Sequence, residues 1–140
     1  MIAGTGSGCG KTTVTLAVLR AMQRRKIPLA AFKCGPDYID PMFHKAVLGI
    51  PSRNLDLFFI SEREVRGQIV RSIPQNGLGV IEGVMGFYDG VSGTTDTASA
   101  AHLARETGTP AILVVRPKGQ SLSLAAMLSG FRNFTENTLC

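Results

Sequence analysis

Short apolar runs alternate along the chain with stretches whose apolar residues recur every three or four positions. That alternation predicts parallel strands joined by helices. Met1 to Ala3 reads as the stub of a first strand. A helix over Thr12 to Arg25 follows, apolar on most sides and therefore predicted to be largely buried. Pro28 to Lys33 predicts a second strand, Leu78 to Glu82 a third, and Ala111 to Val115 a fourth. The last is an unbroken branched run, as in central parallel strands covered on both faces. Asp40 before Pro41 predicts a helix start with Asp40 as the N-cap. Ser61 to Glu64 has the capping-box spacing, and Val65, Ile69 and Ile73 then line one helical face. Asp96 to Thr107 and Ser121 to Phe131 complete the helices. The expected fold is α/β, a parallel sheet flanked by helices. The first strand is shorter than the usual five or so residues, and no strand follows the last helix. An incomplete domain is expected.

Chemistry enters at the first loop. Gly4, Thr5, Gly6, Ser7, Gly8, Cys9, Gly10, Lys11, Thr12 and Thr13 follow a strand stub and open a helix, the setting of a phosphate-binding P-loop. Glycines let successive backbone N–H groups curl around phosphate oxygens. Lys11 can reach the β- and γ-phosphates, the Thr12 hydroxyl can ligate Mg²⁺, and the helix N-terminus adds partial positive charge. The expected ligands are a nucleoside triphosphate, ATP, and Mg²⁺. The usual loop has four residues between its first glycine and Gly-Lys, which would place that glycine at Thr5; here Gly4 supplies it, with one more residue between.

Ligands of open α/β sheets sit beyond the carboxyl ends of the strands. Glu82 ends a buried strand there, and a buried carboxylate needs a partner, either Mg²⁺ or a neighbouring Lys or Arg. Asp37, held by the rigid Gly35-Pro36 turn, is placed to complete a metal shell of Thr12, Asp37 and Glu82. For Asp40, helix capping and substrate contact are both open readings, and Asp89 before Gly90 can be a turn residue. His44 is read as a helix-face histidine with a packing or hydrogen-bonding role.

Composition removes other classes. The 140 residues, 44% hydrophobic and 18% charged, fit one domain or part of a larger one. The net charge of +5 owes much to Arg20, Arg24, Arg25 and Lys26, which cluster where the first helix should end and complement its dipole. No aromatic residues interleave with them, so no nucleic-acid partner is expected. No apolar stretch approaches the ~20 residues that span a bilayer, and Lys11 interrupts any leader-like pattern. No membrane partner and a cytoplasmic location are expected. Cys9, Cys34 and Cys140 form no CxxC pair or metal spacing and read as reduced thiols.

Three blocks carry a resemblance: Lys33 to His44 with its Gly-Pro-Asp-Tyr-Ile-Asp-Pro core, Ser52 to Asp56, and Glu82 to Gly90. Together they resemble the cobyrinic acid a,c-diamide synthase family over essentially the whole chain. The longer loop spacing resembles the dethiobiotin synthetase-like branch of P-loop proteins, and the Gly35 to Pro41 block separates the family from cobyric acid synthase and dethiobiotin synthetase itself. The resemblance implies a P-loop NTPase-type fold, with residues 1–140 forming the N-terminal part of an ATP-dependent amidoligase domain and a C-terminal glutaminase domain absent from this chain. It implies amidation of the a and c carboxylates of a cobyrinic acid-type corrinoid in cobalamin biosynthesis, through an acyl phosphate, with ammonia from glutamine. Lys11 and Thr12 would then serve ATP and Mg²⁺. Asp37 and Glu82 would lie around metal and phosphates, and Tyr38, Asp40 and Asp89 near the substrate or the acyl phosphate. The Gly83 to Gly93 segment is a candidate closing loop.

One departure stands out: the family's fourth strand often ends in an acidic residue, whereas here Val115 is followed by Arg116-Pro117-Lys118-Gly119. Neither Cys34 nor Cys140 sits in a nucleophile elbow, so this chain alone is not expected to hydrolyse glutamine. Other readings are amidation of a related tetrapyrrole such as nickel sirohydrochlorin, and a nucleotide-binding fragment without activity of its own. A partitioning-type ATPase ranks last, because Gly6 stands where those proteins carry an extra lysine. A homodimer is left open.

Overall fold

The computed structural model describes residues 1–37 and 39–135; Tyr38 and Cys140 lie outside them. Among the described residues, β1 (Ile2–Gly4), β2 (Leu29–Cys34), β3 (Ser52–Leu55), β4 (Leu78–Glu82) and β5 (Ile112–Val114) pair in the order β3-β2-β4-β1-β5. Every pairing is parallel. The helices are α1 (Lys11–Arg24), α2 (Ile39–Leu48), α3 (Glu62–Ser72), α4 (Ala100–Thr107) and α5 (Leu122–Asn133). This is the expected α/β architecture of the P-loop NTPase type.

Strand alternation divides the core between the two sheet faces. Ile2, Ala31 and Val80 pack with Leu19 of α1 and Leu48 of α2. Ala3, Ala30, Phe32, Cys34, Leu55 and Ile81 face the other way, against Val65 of α3 and Ala100, Leu103 and Ala104 of α4. Tyr88 carries α5, donating its hydroxyl to the Phe131 carbonyl at 2.7 Å. None of the helices described is long and apolar enough to cross a membrane.

Several expectations change. The strand β3 is absent from the sequence reading because Ser52-Arg53-Asn54-Leu55 buries only Leu55 and carries no apolar run. The helix α1 is not buried on most sides: Lys11, Thr15 and Leu19 form one buried stripe at four-residue spacing, while Thr13, Ala17, Arg20 and Ala21 are exposed. The sheet covers only one of its faces. The strand β5 is apolar yet pairs only with β1 among the described residues, which leaves Ile112 57% exposed. Among the described residues it is the edge strand of the sheet. The helix α4 starts at Ala100 with Ser99 as its cap, not at Asp96.

The capping box of α3 is present, with Ser61 Oγ accepting from the Glu64 N–H and the Ser61 N–H donating back to Glu64. Replacing Ser61 by Ala should cost about 1 kcal/mol of stability. Urea unfolding should show a lower midpoint with an unchanged slope, and nucleotide affinity should stay the same.

Candidate active site

Register decides which side chains meet. In the β2–β4 ladder Lys33 stands opposite Glu82, and in the β2–β3 ladder Ala31 stands opposite Ser52. All four belong to the sheet face that α1 and α2 cover. Both charged residues sit at the carboxyl ends of their strands, where the loop to α2 begins after β2 and the loop to α4 begins after β4.

The P-loop leads from β1 into α1. Gly8 and Gly10 adopt φ of 70° and 104°, the left-handed region where a side chain would strain the backbone. At Gly4 a Cβ would collide with Cys9 Sγ and meet Lys11 Cδ at 3.0 Å, so any larger residue would force those side chains to shift. The buried Lys11 ammonium donates to the carbonyls of Gly6, at 2.9 Å, and Met85, at 2.5 Å. It thereby ties the P-loop to the segment after β4.

Below the loop lies a buried polar cluster. Glu82 is fully buried; its Oε1 accepts from Thr12 Oγ1 at 2.6 Å and from Lys33 Nζ at 3.2 Å. Its Oε2 lies 3.1 Å from His44 Nε2, and the other ring nitrogen of His44 lies 2.9 Å from Ser52 Oγ. Lys33, 3% exposed, also reaches Asp40 Oδ2 at 2.5 Å, the Gly83 carbonyl at 3.0 Å and Asp37 Oδ2 at 3.7 Å. Burial alone would raise the Glu82 carboxyl, but hydrogen bonds from His44 and Thr12 and the charge of Lys33 outweigh it and bring it down to about 2. Burial likewise pulls the Lys33 ammonium down, and Asp40 and Glu82 more than compensate, so it is raised.

The capping of α2 falls to Asp37 and not to Asp40. The helix α2 begins at Ile39, so Asp40 lies inside the first turn and is not the cap. Asp37 Oδ1 does the capping, accepting from the Ile39 N–H at 2.8 Å and the Asp40 N–H at 3.4 Å. Its other oxygen faces Lys33, and Asp40 Oδ1 lies 3.4 Å from the Thr12 hydroxyl.

A pocket of 490 Å³ gathers Ser7, Gly8, Gly10, Lys11, Thr12, Thr13, Lys33, Asp37, Asp40 and Glu82. Thr5, Gly6 and Cys9 face a second recess together with Arg116 and Lys118, so the two cations after β5 do stand beside the phosphate loop. Asp89 is not brought into the cluster. It accepts the Gly86 N–H at 2.8 Å and closes a turn, lining the adjoining cleft instead. Burial pushes the Cys34 thiol up to about 12, leaving it inert.

Sequence reasoning missed Lys33 as a site residue. The available signal was a lone charge at the end of the apolar run Leu29 to Phe32, which raises the same question of a partner as Glu82 does. His44 has the hydrogen-bonding role expected of it, although its partner Glu82 was not foreseen.

Three carboxylates, Asp37, Asp40 and Glu82, surround the single ammonium of Lys33. Lys11 lines the same pocket, so three negative charges face two positive ones, and the donors beside the phosphate loop are hard oxygens of the kind Mg²⁺ takes. The residues therefore fit Mg²⁺ as they fit a triphosphate.

The profile of the CobQ/CobB/MinD/ParA nucleotide binding domain matches residues 1–116. Curated relatives include proteins named cobyrinate a,c-diamide synthase. That of Salmonella typhimurium is 46% identical over 96% of this chain and 29% of its own length. That of Clostridium acetobutylicum is 49% identical over 96% of the chain and 30% of its own length. The Thermoplasma volcanium protein is 46% identical over 99% of the chain and 30% of its own length. The chain thus spans about a third of the relatives it matches.

A depressed carboxyl means that the unfolded chain binds the extra proton first. Stability from Glu82 is complete above its unfolded value of 4.5 and is lost as pH falls toward about 2. Urea unfolding at about pH 5 and about pH 3 should therefore show a larger drop for the native sequence than for Glu82→Gln. Equal drops would contradict the cluster.

Proposed function

The chain belongs to the CobQ/CobB/MinD/ParA nucleotide-binding family, and from that premise we propose that it is the carboxylate-activating part of a cobyrinate a,c-diamide synthase. It binds ATP and Mg²⁺ and forms amides at the a and c acetate side chains of a cobyrinic acid-type corrinoid. The observation that carries this reading is the buried Thr12–Glu82–Lys33–Asp40 cluster, with its surplus of negative charge, directly against the phosphate loop. The names of the relatives support the choice of acid.

Residue roles follow from position. Backbone N–H groups of the glycine loop and Lys11 hold the β- and γ-phosphates. Thr12, Glu82, Asp40 and the second oxygen of Asp37 would hold Mg²⁺, which would offset the negative charge of the phosphates. Lys33, on the same pocket wall, stabilises negative charge on the transferring phosphoryl. His44 fixes the orientation of Glu82 from behind.

A carboxylate oxygen of the corrinoid attacks the γ-phosphorus as the bond to ADP breaks. The resulting mixed anhydride has phosphate as its leaving group. Ammonia adds to the acyl carbon, phosphate departs, and the nitrogen gives up its surplus proton. Glutamine hydrolysis by a glutaminase domain supplies the ammonia. Tyr38 and Asp89 belong on the substrate side of this reaction, Asp89 through the turn it closes.

Free ammonia, ATP, Mg²⁺ and cobyrinic acid test the proposal without glutamine, with ADP release and amide formation as readouts. Lys11→Ala should weaken binding of a fluorescent ATP analogue roughly 10- to 100-fold. Glu82→Gln should keep the fold by circular dichroism and lose on the order of 10²-fold in Mg²⁺-dependent turnover. Unchanged turnover in both variants would sink the assignment.

A further inference from the structure

The two oxygens of Glu82 face two different environments. Oε1 meets Thr12 Oγ1 at 2.6 Å and Lys33 Nζ at 3.2 Å, and Thr12 Oγ1 in turn lies 3.4 Å from Asp40 Oδ1. Thr12, Lys33 and Asp40 all line the phosphate pocket. Oε2 turns to His44 Nε2 instead, at 3.1 Å, and His44 is fully buried behind the carboxylate.

A carboxylate has no hydrogen to give, so His44 Nε2 carries one and donates it. In a neutral imidazole the other nitrogen is then an acceptor, and the Ser52 hydroxyl lies 2.9 Å from it. Ser52 belongs to β3 and is fixed by that strand's ladder with β2. One hydrogen-bonded line therefore runs from β3 through α2 to the end of β4. With Oε1 held by two donors and Oε2 by a third, the carboxylate cannot turn both oxygens toward the pocket. Doing so would break hydrogen bonds where water cannot replace them.

That restraint bears on which cation the site accepts. Mg²⁺ is small, demands a near-ideal octahedron and is met by few carboxylate oxygens, with water in the other places. Ca²⁺ is larger, takes about six to eight oxygens and commonly grips a carboxylate by both. We infer that His44, held by Ser52, is a positioning residue that selects the metal: by occupying Oε2 it leaves Glu82 one oxygen to offer, which favours Mg²⁺ over Ca²⁺ at the phosphate loop. The inference rests on the function proposed above, which requires a divalent cation beside the triphosphate.

The test counts bound metal and needs no turnover. The full 140-residue chain is loaded with a non-hydrolysable ATP analogue and Mn²⁺, whose paramagnetic resonance separates bound from free ion. Mg²⁺ or Ca²⁺ is then added, and the ratio of the two displacing concentrations gives the selectivity. The native chain should prefer Mg²⁺. His44→Leu should move the ratio toward Ca²⁺ by on the order of tenfold, and His44→Gln, whose amide can return a donor to Oε2, should keep the native ratio. Lost packing alone would weaken both ions alike, so a native ratio in a His44→Leu protein folded by circular dichroism overturns the inference. A native preference for Ca²⁺, or a shift in His44→Gln as large as in His44→Leu, overturns it as well. Should His44→Leu fail to fold, Ser52→Ala decides, because it keeps the ring but releases it: a shift toward Ca²⁺ supports the inference and the native ratio overturns it. A native chain that binds no Mn²⁺ beside the analogue contradicts the proposed function itself, whereas bound Mn²⁺ with an unchanged ratio contradicts only the part given to His44.

Discussion

Everything at the active end of this molecule depends on a charge pair that the sheet places where water cannot reach it. Lys33 and Glu82 face each other across β2 and β4, buried, and neither could stay ionised there alone. The cost of desolvating them is met by surrounding groups, and those groups come from three different elements. Thr12 brings the first turn of α1, Asp40 and His44 bring α2, and the Gly83 carbonyl brings the start of the loop after β4. One electrostatic requirement therefore draws two helix N-termini and a loop onto one spot of the sheet. The phosphate loop, which ends at Thr12, is anchored by the same requirement.

The two faces of the sheet divide the labour. The face under α3 and α4 is apolar along its whole length, from Met1 and Ala3 through Phe32 and Cys34 to Ile81. The face under α1 and α2 is apolar only as far as Ala31 and Val80, and one alternation further on it becomes charged. The first supplies most of the packing. The second ends in a polar patch at the strand termini, where the crevice of an α/β sheet opens.

What the sequence disclosed follows the same division. The phosphate loop, β4 with Glu82 at its end, and the capping box of α3 were legible because each is written in adjacent residues with a local physical cause. Lys33 was not, because its meaning depends on the register between two strands almost fifty residues apart in the chain. The strand β3 was not, because an edge strand with one buried residue has no apolar signature, and its place follows from β2 alone. The exposure of β5 was hidden for the opposite reason: its residues are those of a central strand, and the sequence carries no mark of what lies beside it. That Asp37 and not Asp40 caps α2 turned on where the helix begins, a boundary that proline and aspartate in the sequence define only to within a residue or two.

The cap that Asp37 places on α2 bears on how the site keeps its shape. A helix turns by about 100° for each residue added or removed at its start. Asp37 holds the first two N–H groups of α2 and so sets its rotational phase, which is what aims Asp40 at Lys33 and, one turn later, His44 at Glu82. With the loop before α2 longer or shorter by one residue and its start still anchored, both side chains would turn off the cluster together. Asp37 thus acts on the centre by angle as well as by charge, as the index mark against which the rest of the helix is read.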